Sequence, residues 1–467
     1  MNALATQVDN RTRLLTRLAQ ARAMTDDLFR RVRTDALYDR PIAERHRIVF
    51  YIGHLEAFDW NLIAGQALGI GPADTEFDRL FAFGIDPVGG GLPQDQPSDW
   101  PPLAQVESYA HNVQRVLNDL LNGRSRVAEK DWQFPQDVIL NVAIEHRLMH
   151  AETLTYMLHQ LSTQRKSVPH DYISVSSHRP APPAVSRTID IPAGAATLGA
   201  PRAAESFGWD NEFEEYSVSV PAFAIASHKV TNGEFFQFVR EGGYDDRRFW
   251  SDADWAWIKA HNIAHPHLWF TRPDLGLSDH GRPHQGSPDQ WVYRAMFEEI
   301  PLPLDWPVYV SHAEASAYAR FVGGALPTEA QFHRAAYGTP EGVERAYPWG
   351  DAAPDSDSDS DATRGNFDLQ RWDPVAVGSA PGGRSAFGLE DTVGNGWEWT
   401  STSFAPLPGF APSPYYPAYS ADFFDGKHFI AKGASPRTAA CMVRRSFRNW
   451  FQPHYPYVYA SFRCVRN

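Results

Sequence analysis

Between Thr163 and Thr188 the chain changes its texture, and that change limits what it can fold into. Before the break, apolar residues recur at intervals of three and four over long stretches, which is the helical period. After it come short alternating runs, turns and clustered aromatics. The break itself, TQRKSVPHDYISVSSHRPAPPAVSRT, is rich in proline and serine and has the composition of a connection. A chain of 467 residues is long enough for two to three domains. We therefore expect a helical bundle over residues 1–165, a linker over 166–186, and a mixed domain over 187–467.

Four helices are predicted in the first part, over Thr12 to Val32, Ile42 to Ile63, Val106 to Leu121 and Gln136 to Leu161. Three histidines stand out on two of them. His146 and His150 in NVAIEHRLMHAETL lie four residues apart, so both imidazoles share one face. His54 in FYIGHLEAFDW can supply a third corner on a neighbouring helix. Neutral imidazole suits zinc, iron, copper and nickel alike, so the pattern implies a transition metal without choosing the element. The alternative is three ordinary buried histidines.

The net charge of −13 and the lack of any basic tract argue against nucleic-acid or anionic-membrane partners. Part of the negative charge falls in the low-complexity run from Pro354 to Thr363, expected to be a solvated loop. No apolar run has membrane-spanning length and no signal peptide is evident, so a soluble cytoplasmic protein is expected. Cys441 and Cys464 are too few for a disulfide framework. The stretch from Tyr244 to Pro301 contains His261, His265 and His267; packing among its tryptophans is a better account of them than a second metal site.

In the second part, PAGAATLGA, HKVTNGEFFQFV, ALPTEAQFHRAA, YPWGD, GNGWEWT and the closing SFRCV follow one another in order. This series resembles the formylglycine-generating-enzyme type of domain, a mixed fold with lectin-like relatives. The bundle resembles the DinB type, which also gathers three histidines around a metal. Together they imply an α+β protein, and in this order they resemble the non-haem iron sulfoxide synthases of ergothioneine biosynthesis, with selenoneine synthases close by.

The resemblance implies iron(II) held by His54, His146 and His150. It implies dioxygen-dependent carbon–sulfur bond formation between the imidazole C2 of hercynine and cysteine or gamma-glutamylcysteine. Histidine as acceptor and a selenosugar as donor remain open. It further implies a tyrosine acting as proton donor or redox partner after the WEWT motif, where PGFAPSPYYPAYSADFFDG offers Tyr416 first, then Tyr415 and Tyr419. Substrate cation and carboxylate call for aromatics and arginines or amides, and RRSFRNWFQPHYPYVY supplies Arg445, Arg448, Asn449 and Trp450. Trp397 and Trp399 are expected in the core.

The chain departs from the family pattern at Phe451, where many members carry an acid. It also offers no second cysteine near Cys441, which removes the copper-binding pair of formylglycine-generating enzymes proper. Rival functions from the residues alone are a zinc-dependent thiol transferase or hydrolase and a lectin-like binding module.

Overall fold

The computed structural model describes residues 2–82, 92–124, 132–176, 186–202, 207–271, 288–354 and 361–466. Most of the acidic run lies outside these residues. The chain divides into two compact units, Met1–Tyr172 and Ile173–Asn467.

The first unit contains α1 (Asn2–Arg30), α2 (Ile48–Asp59), the short α3 (Thr75–Leu80), α4 (Leu103–Leu121) and α5 (Gln136–Gln160). α1 packs along α5 and α2 along α4. From Val142 to His159 every α5 side chain except Met149 is buried, which makes it the central helix of the bundle.

Helix limits differ from the sequence expectation at three places: α1 starts at Asn2 and not at Thr12, and α2 departs at both ends. The apolar pattern starts at Ile42, but residues 41–47 form turns. There the Arg47 guanidinium donates to the Tyr38 and Asp95 carbonyls, both at 2.7 Å, and Ile42 is buried as a turn residue. At its other end α2 runs on as a π-helical stretch from Trp60 to Ala67, whose wider winding shifts the side chains off the 3.6-residue period.

All four long helices meet at one buried ion cluster. Arg147 of α5 lies 2.7 Å from an Asp59 oxygen and 2.9 Å from a Glu56 oxygen, both on α2, with every side chain at most 4% exposed. Arg22 of α1 reaches the same Asp59 oxygen at 3.2 Å and donates to Asn118 of α4 at 2.8 Å. Burial disfavours the Arg147 charge, but the Asp59 and Glu56 carboxylates outweigh it and raise its pKa above the ordinary arginine value.

The second unit is an α+β fold built on small sheets. Strands β1 (Thr188–Ile191), β2 (Gly194–Leu198), β3 (Tyr216–Val220) and β4 (Phe223–Ala226) precede α6 (Asn232–Arg240) and α7 (Asp252–Ala260). Then follow β5 (Trp269–Thr271), β6 (Trp291–Arg294), β7 (Glu299–Pro301), α8 (His312–Phe321) and α9 (Glu329–Tyr337). β8 (Gly396–Ser403), β9 (Phe429–Ala434), β10 (Asn449–Phe451), β11 (Ala460–Ser461) and β12 (Val465–Arg466) complete it. The main sheet has the order β10-β9-β8-β11, with β11 parallel to β8. β4 sits between β1 and β12, so the last strand shares a sheet with the first through β4. The Thr-Asn-Gly-Glu order at Thr231 has the pattern of a capping box, and the box is present: Thr231 accepts from the Glu234 amide at 3.2 Å, and Glu234 accepts from the Thr231 amide at 2.8 Å.

Three motifs converge on one point in this unit. Lys229 of HKVTNGE lies 3.2 Å from Glu398 of GNGWEWT, and Arg463 of SFRCV donates to both Glu398 oxygens at 2.6 Å; all three side chains are fully buried. The GNG turn presents the Gly394 carbonyl to Lys229 at 3.1 Å, with Gly394, Asn395 and Gly396 at φ of 84°, 60° and 126°. A side chain at Gly396 would also meet the Tyr309 ring at 2.8 Å, so glycine is required there.

Arg147→Met should leave Glu56 without its guanidinium partner and Asp59 with only Arg22. We expect the helical unit to lose about 3–5 kcal/mol, read as a lower urea midpoint of the helical circular-dichroism signal; a midpoint within experimental error of wild type would disprove the role.

Candidate metal centre

His54 sits in the middle of α2, one turn after Phe50 and one turn before Phe58. This four-residue ladder faces α5, where His146 and His150 have the same spacing. Phe58 stacks on His146 with ring centroids 3.4 Å apart, and Phe50 stacks on His54 at 4.9 Å. Tyr51 lies against His150 at 5.7 Å. The aromatic rings exclude water, and the three imidazoles are only 3–6% exposed.

The ring nitrogens point at one another. His54 Nε2 lies 3.2 Å from His150 Nε2, which lies 3.1 Å from His146 Nε2. One ligand atom from each residue falls within 4.8 Å of the others. With metal–nitrogen bonds of ~2.1 Å, nitrogens at right angles lie about 3.0 Å apart and at tetrahedral angles about 3.4 Å. The two short separations match a set of ligands around one ion. His54 Nδ1 lies 2.8 Å from the Phe81 carbonyl oxygen, which can only accept; the proton is therefore on Nδ1 and the Nε2 lone pair faces inward.

Burial lowers the pKa of each imidazole: His54 falls to about 4, and His146 and His150 fall well below the ordinary value. Neutral imidazoles with converging lone pairs are the donor set of a transition-metal ion. Among the described residues no other cluster of three such ligands is found. His261 bonds the Trp257 carbonyl, His265 packs edge-on to Trp291, and His267 packs edge-on to Tyr457.

In the second unit, Tyr416 and Tyr419 lie 5.7 Å apart, and Tyr419 stands edge-on to Trp450 at 5.5 Å. Tyr415 and Tyr416 are half-buried and Tyr419 is buried. Trp450 stacks on Phe404 at 4.1 Å, and the Arg448 guanidinium lies over the Phe404 ring at 5.1 Å. Arg448 is buried, ion-paired with Glu329 at 3.1 Å and bonded to the Asn211 and Ala405 carbonyls. Arg445 points elsewhere, 3.4 Å from Glu344, and half-buried Asn449 accepts from the Trp450 amide. Trp397 and Trp399 are core residues, both at most 1% exposed. Cys441 and Cys464 form no disulfide, and burial pushes the Cys464 pKa up to about 12.

Sequence reasoning missed Trp209 and Asp210. Trp209 stacks on Tyr419 at 4.0 Å, and Asp210 accepts from Ser420 Oγ at 2.6 Å and from the Ser413 amide at 3.2 Å. They brace the tyrosine segment from more than 200 residues away, a distance over which no local pattern gives a signal.

Residues 174–467 match the family model described as Sulfatase-modifying factor enzyme 1-like domain. The hercynine oxygenase of Mycolicibacterium smegmatis is 30% identical over 461 residues, covering 95% of this chain and 98% of that protein. The hercynine oxygenase of Mycolicibacterium thermoresistibile is 37% identical over 273 residues, covering 57% and 56%. Ergothioneine biosynthesis protein 1 of Neurospora crassa is 28% identical over 504 residues, covering 93% and 55%. The alignments with these last two thus span little more than half of the relatives' own length. The chain belongs to the sulfatase-modifying-factor 1-like domain family and, within it, to the sulfoxide synthase family of ergothioneine biosynthesis.

His146→Ala and His150→Ala should each remove most of the bound metal, measured by elemental analysis after reconstitution, while the second unit stays folded. Full occupancy in both variants would rule the site out. In the metal-free protein the unfolded imidazoles take up protons near pH 6.5, whereas buried His54 resists until about pH 4. Stability present above pH 6.5 should therefore fall as the pH drops toward 4. The decline in Tm over that window should be shallower in His54→Ala.

Proposed function

We propose that the protein is a non-haem iron(II), dioxygen-dependent sulfoxide synthase acting on hercynine and a thiol, cysteine or gamma-glutamylcysteine. The observation that carries this reading is the buried set of three neutral imidazoles, in a chain whose relatives are named hercynine oxygenase and ergothioneine biosynthesis protein 1.

The net reaction joins C2 of the imidazole to sulfur and places one oxygen on that sulfur. The C2–H and S–H bonds are lost, one oxygen atom goes to the sulfoxide, and the other leaves as water with both hydrogens. Dioxygen takes up the four electrons released. Bound iron supplies a meeting point for sulfur and oxygen and a route for single electrons between them.

The chain's own residues then have separable tasks. His54, His146 and His150 hold the ion, and the Phe50 and Phe58 rings keep bulk water from it. Tyr416 is assigned as the phenol that moves a proton, with Tyr415 and Tyr419 in the same segment as the other candidates. Asn449 and Trp450 are assigned to substrate, Trp450 offering an aromatic face to a quaternary ammonium, whereas Arg445 is engaged by Glu344. Arg448, already paired with Glu329, contributes by supporting the Phe404–Trp450 stack.

Anaerobic reconstitution with iron(II), then exposure to oxygen with hercynine and each thiol in parallel, tests the proposal. We expect one dioxygen consumed per coupled sulfoxide, with label from 18O2 on sulfur by mass spectrometry. An iron-filled protein that consumes no oxygen with either pair sinks it. Tyr416→Phe should slow or divert the product while retaining the metal.

A further inference from the structure

His54 differs from the other two ligands in how it is placed. His146 and His150 are successive turns of the central helix, whereas the His54 ring is oriented by a carbonyl 27 residues further along the chain. That carbonyl belongs to Phe81, the residue that ends α3.

α3 has six residues, too few to hold a helix by its own hydrogen bonds. Its position therefore depends on side chains. Asp74 caps its start, accepting from the Glu76 and Phe77 amides at 3.0 Å. Asp78, in the middle of α3, accepts a 2.6 Å hydrogen bond from Tyr109 Oη of α4 through one oxygen and a 2.8 Å bond from the Ala73 amide through the other. Phe77 and Phe81 both stack against the Tyr109 ring, with centroids 5.3 and 5.8 Å away. Gly53, next to His54, completes the fit: a Cβ there would lie 2.3–2.5 Å from the Phe81 ring, so only glycine lets Phe81 come close enough.

We infer that Tyr109 and Asp78 are positioning residues for the metal centre. Their hydrogen bond fixes α3, α3 fixes the Phe81 carbonyl, and that carbonyl sets the tautomer and aim of His54. The chain of contacts runs from α4 to the ligand without touching the ion. A carbonyl that accepts from the distal N–H of a metal-binding imidazole sharpens both its orientation and its basicity. The inference rests on the three imidazoles binding a metal ion, and not on the sulfoxide chemistry.

Cobalt(II) binding to the full chain, followed by chelator competition and by the visible absorption of the bound ion, is the test. Tyr109→Phe removes one oxygen and keeps the ring; Asp78→Asn keeps the shape and loses an acceptor. Both should weaken cobalt about tenfold and shift its visible band, with little change in Tm. Leu14→Ala, in the buried face of α1, is the control for simple destabilisation: its Tm should fall while affinity and spectrum stay as in wild type. Affinities within twofold of wild type in both α3-linked variants, or an equal loss in Leu14→Ala, would overturn the inference. A wild-type chain that binds no cobalt ends both the metal reading and this inference. A chain that binds cobalt but makes no sulfoxide leaves the inference standing.

Discussion

The arrangement of the helical unit depends on a guanidinium that has nowhere else to go. Arg147 is 1% exposed, and an unpaired charge at that depth would cost several kcal/mol. Its partners Asp59 and Glu56 lie on one turn of α2, so satisfying the charge fixes both the rotation and the height of α2 against α5. Arg147 follows His146 directly, and Glu56 lies two residues after His54. The register that pairs the charges is thus the register that brings the imidazoles together. Arg22 and Asn118 extend the cluster to α1 and α4, which ties all four helices to one choice.

Such a scaffold is needed because the metal centre does not favour its own assembly. Without a cation, the three Nε2 atoms, two pairs of them 3.1–3.2 Å apart, can be reconciled only by tautomers in which one ring hydrogen-bonds to the next, which is far less than a shared ion would supply. Stabilisation has to come from elsewhere: the ion cluster on one side of the helix pair, aromatic stacking along it, and the Phe81 carbonyl at His54. A site held open in this way loses little entropy when the ion enters, which raises affinity for any metal of suitable geometry. Choice among metals is then left to ligand chemistry, where imidazole alone discriminates weakly.

The second unit applies the same rule with opposite partners. A single buried carboxylate, Glu398, serves two cations, Lys229 and Arg463, and burial pressure on the carboxyl is outweighed by the two positive charges, which hold it below its usual pKa. Each member comes from a different motif, spread over more than 230 positions. Arg463 also donates to the Ala226 and Ser227 carbonyls at 3.2 Å, which joins the end of β4 to the approach to β12. This explains why the motifs occur together: none can satisfy its charge alone. A hydrophobic isostere of the triad would fill the volume but would not specify which strand meets which.

What the sequence reveals follows from this. The His146–His150 pair was legible because a helix turns a four-residue interval into a shared face, and both histidines indeed line one face of α5. The texture break and the Thr231 cap were legible for the same local reason. The start of α2 at Ile48 was not, because Ile42 satisfies the apolar pattern while Arg47 holds the chain in turns through partners outside that pattern. Trp209, Asp210, Tyr109 and the Phe81 carbonyl were invisible: each acts across a gap in the chain, and a backbone carbonyl has no letter. The chemistry-bearing side chains announce themselves by type and spacing, whereas the groups that aim them are chosen by proximity alone. Positioning in this protein is therefore written almost wholly in tertiary contacts. Substitutions that preserve every catalytic candidate can still remove the geometry those candidates need.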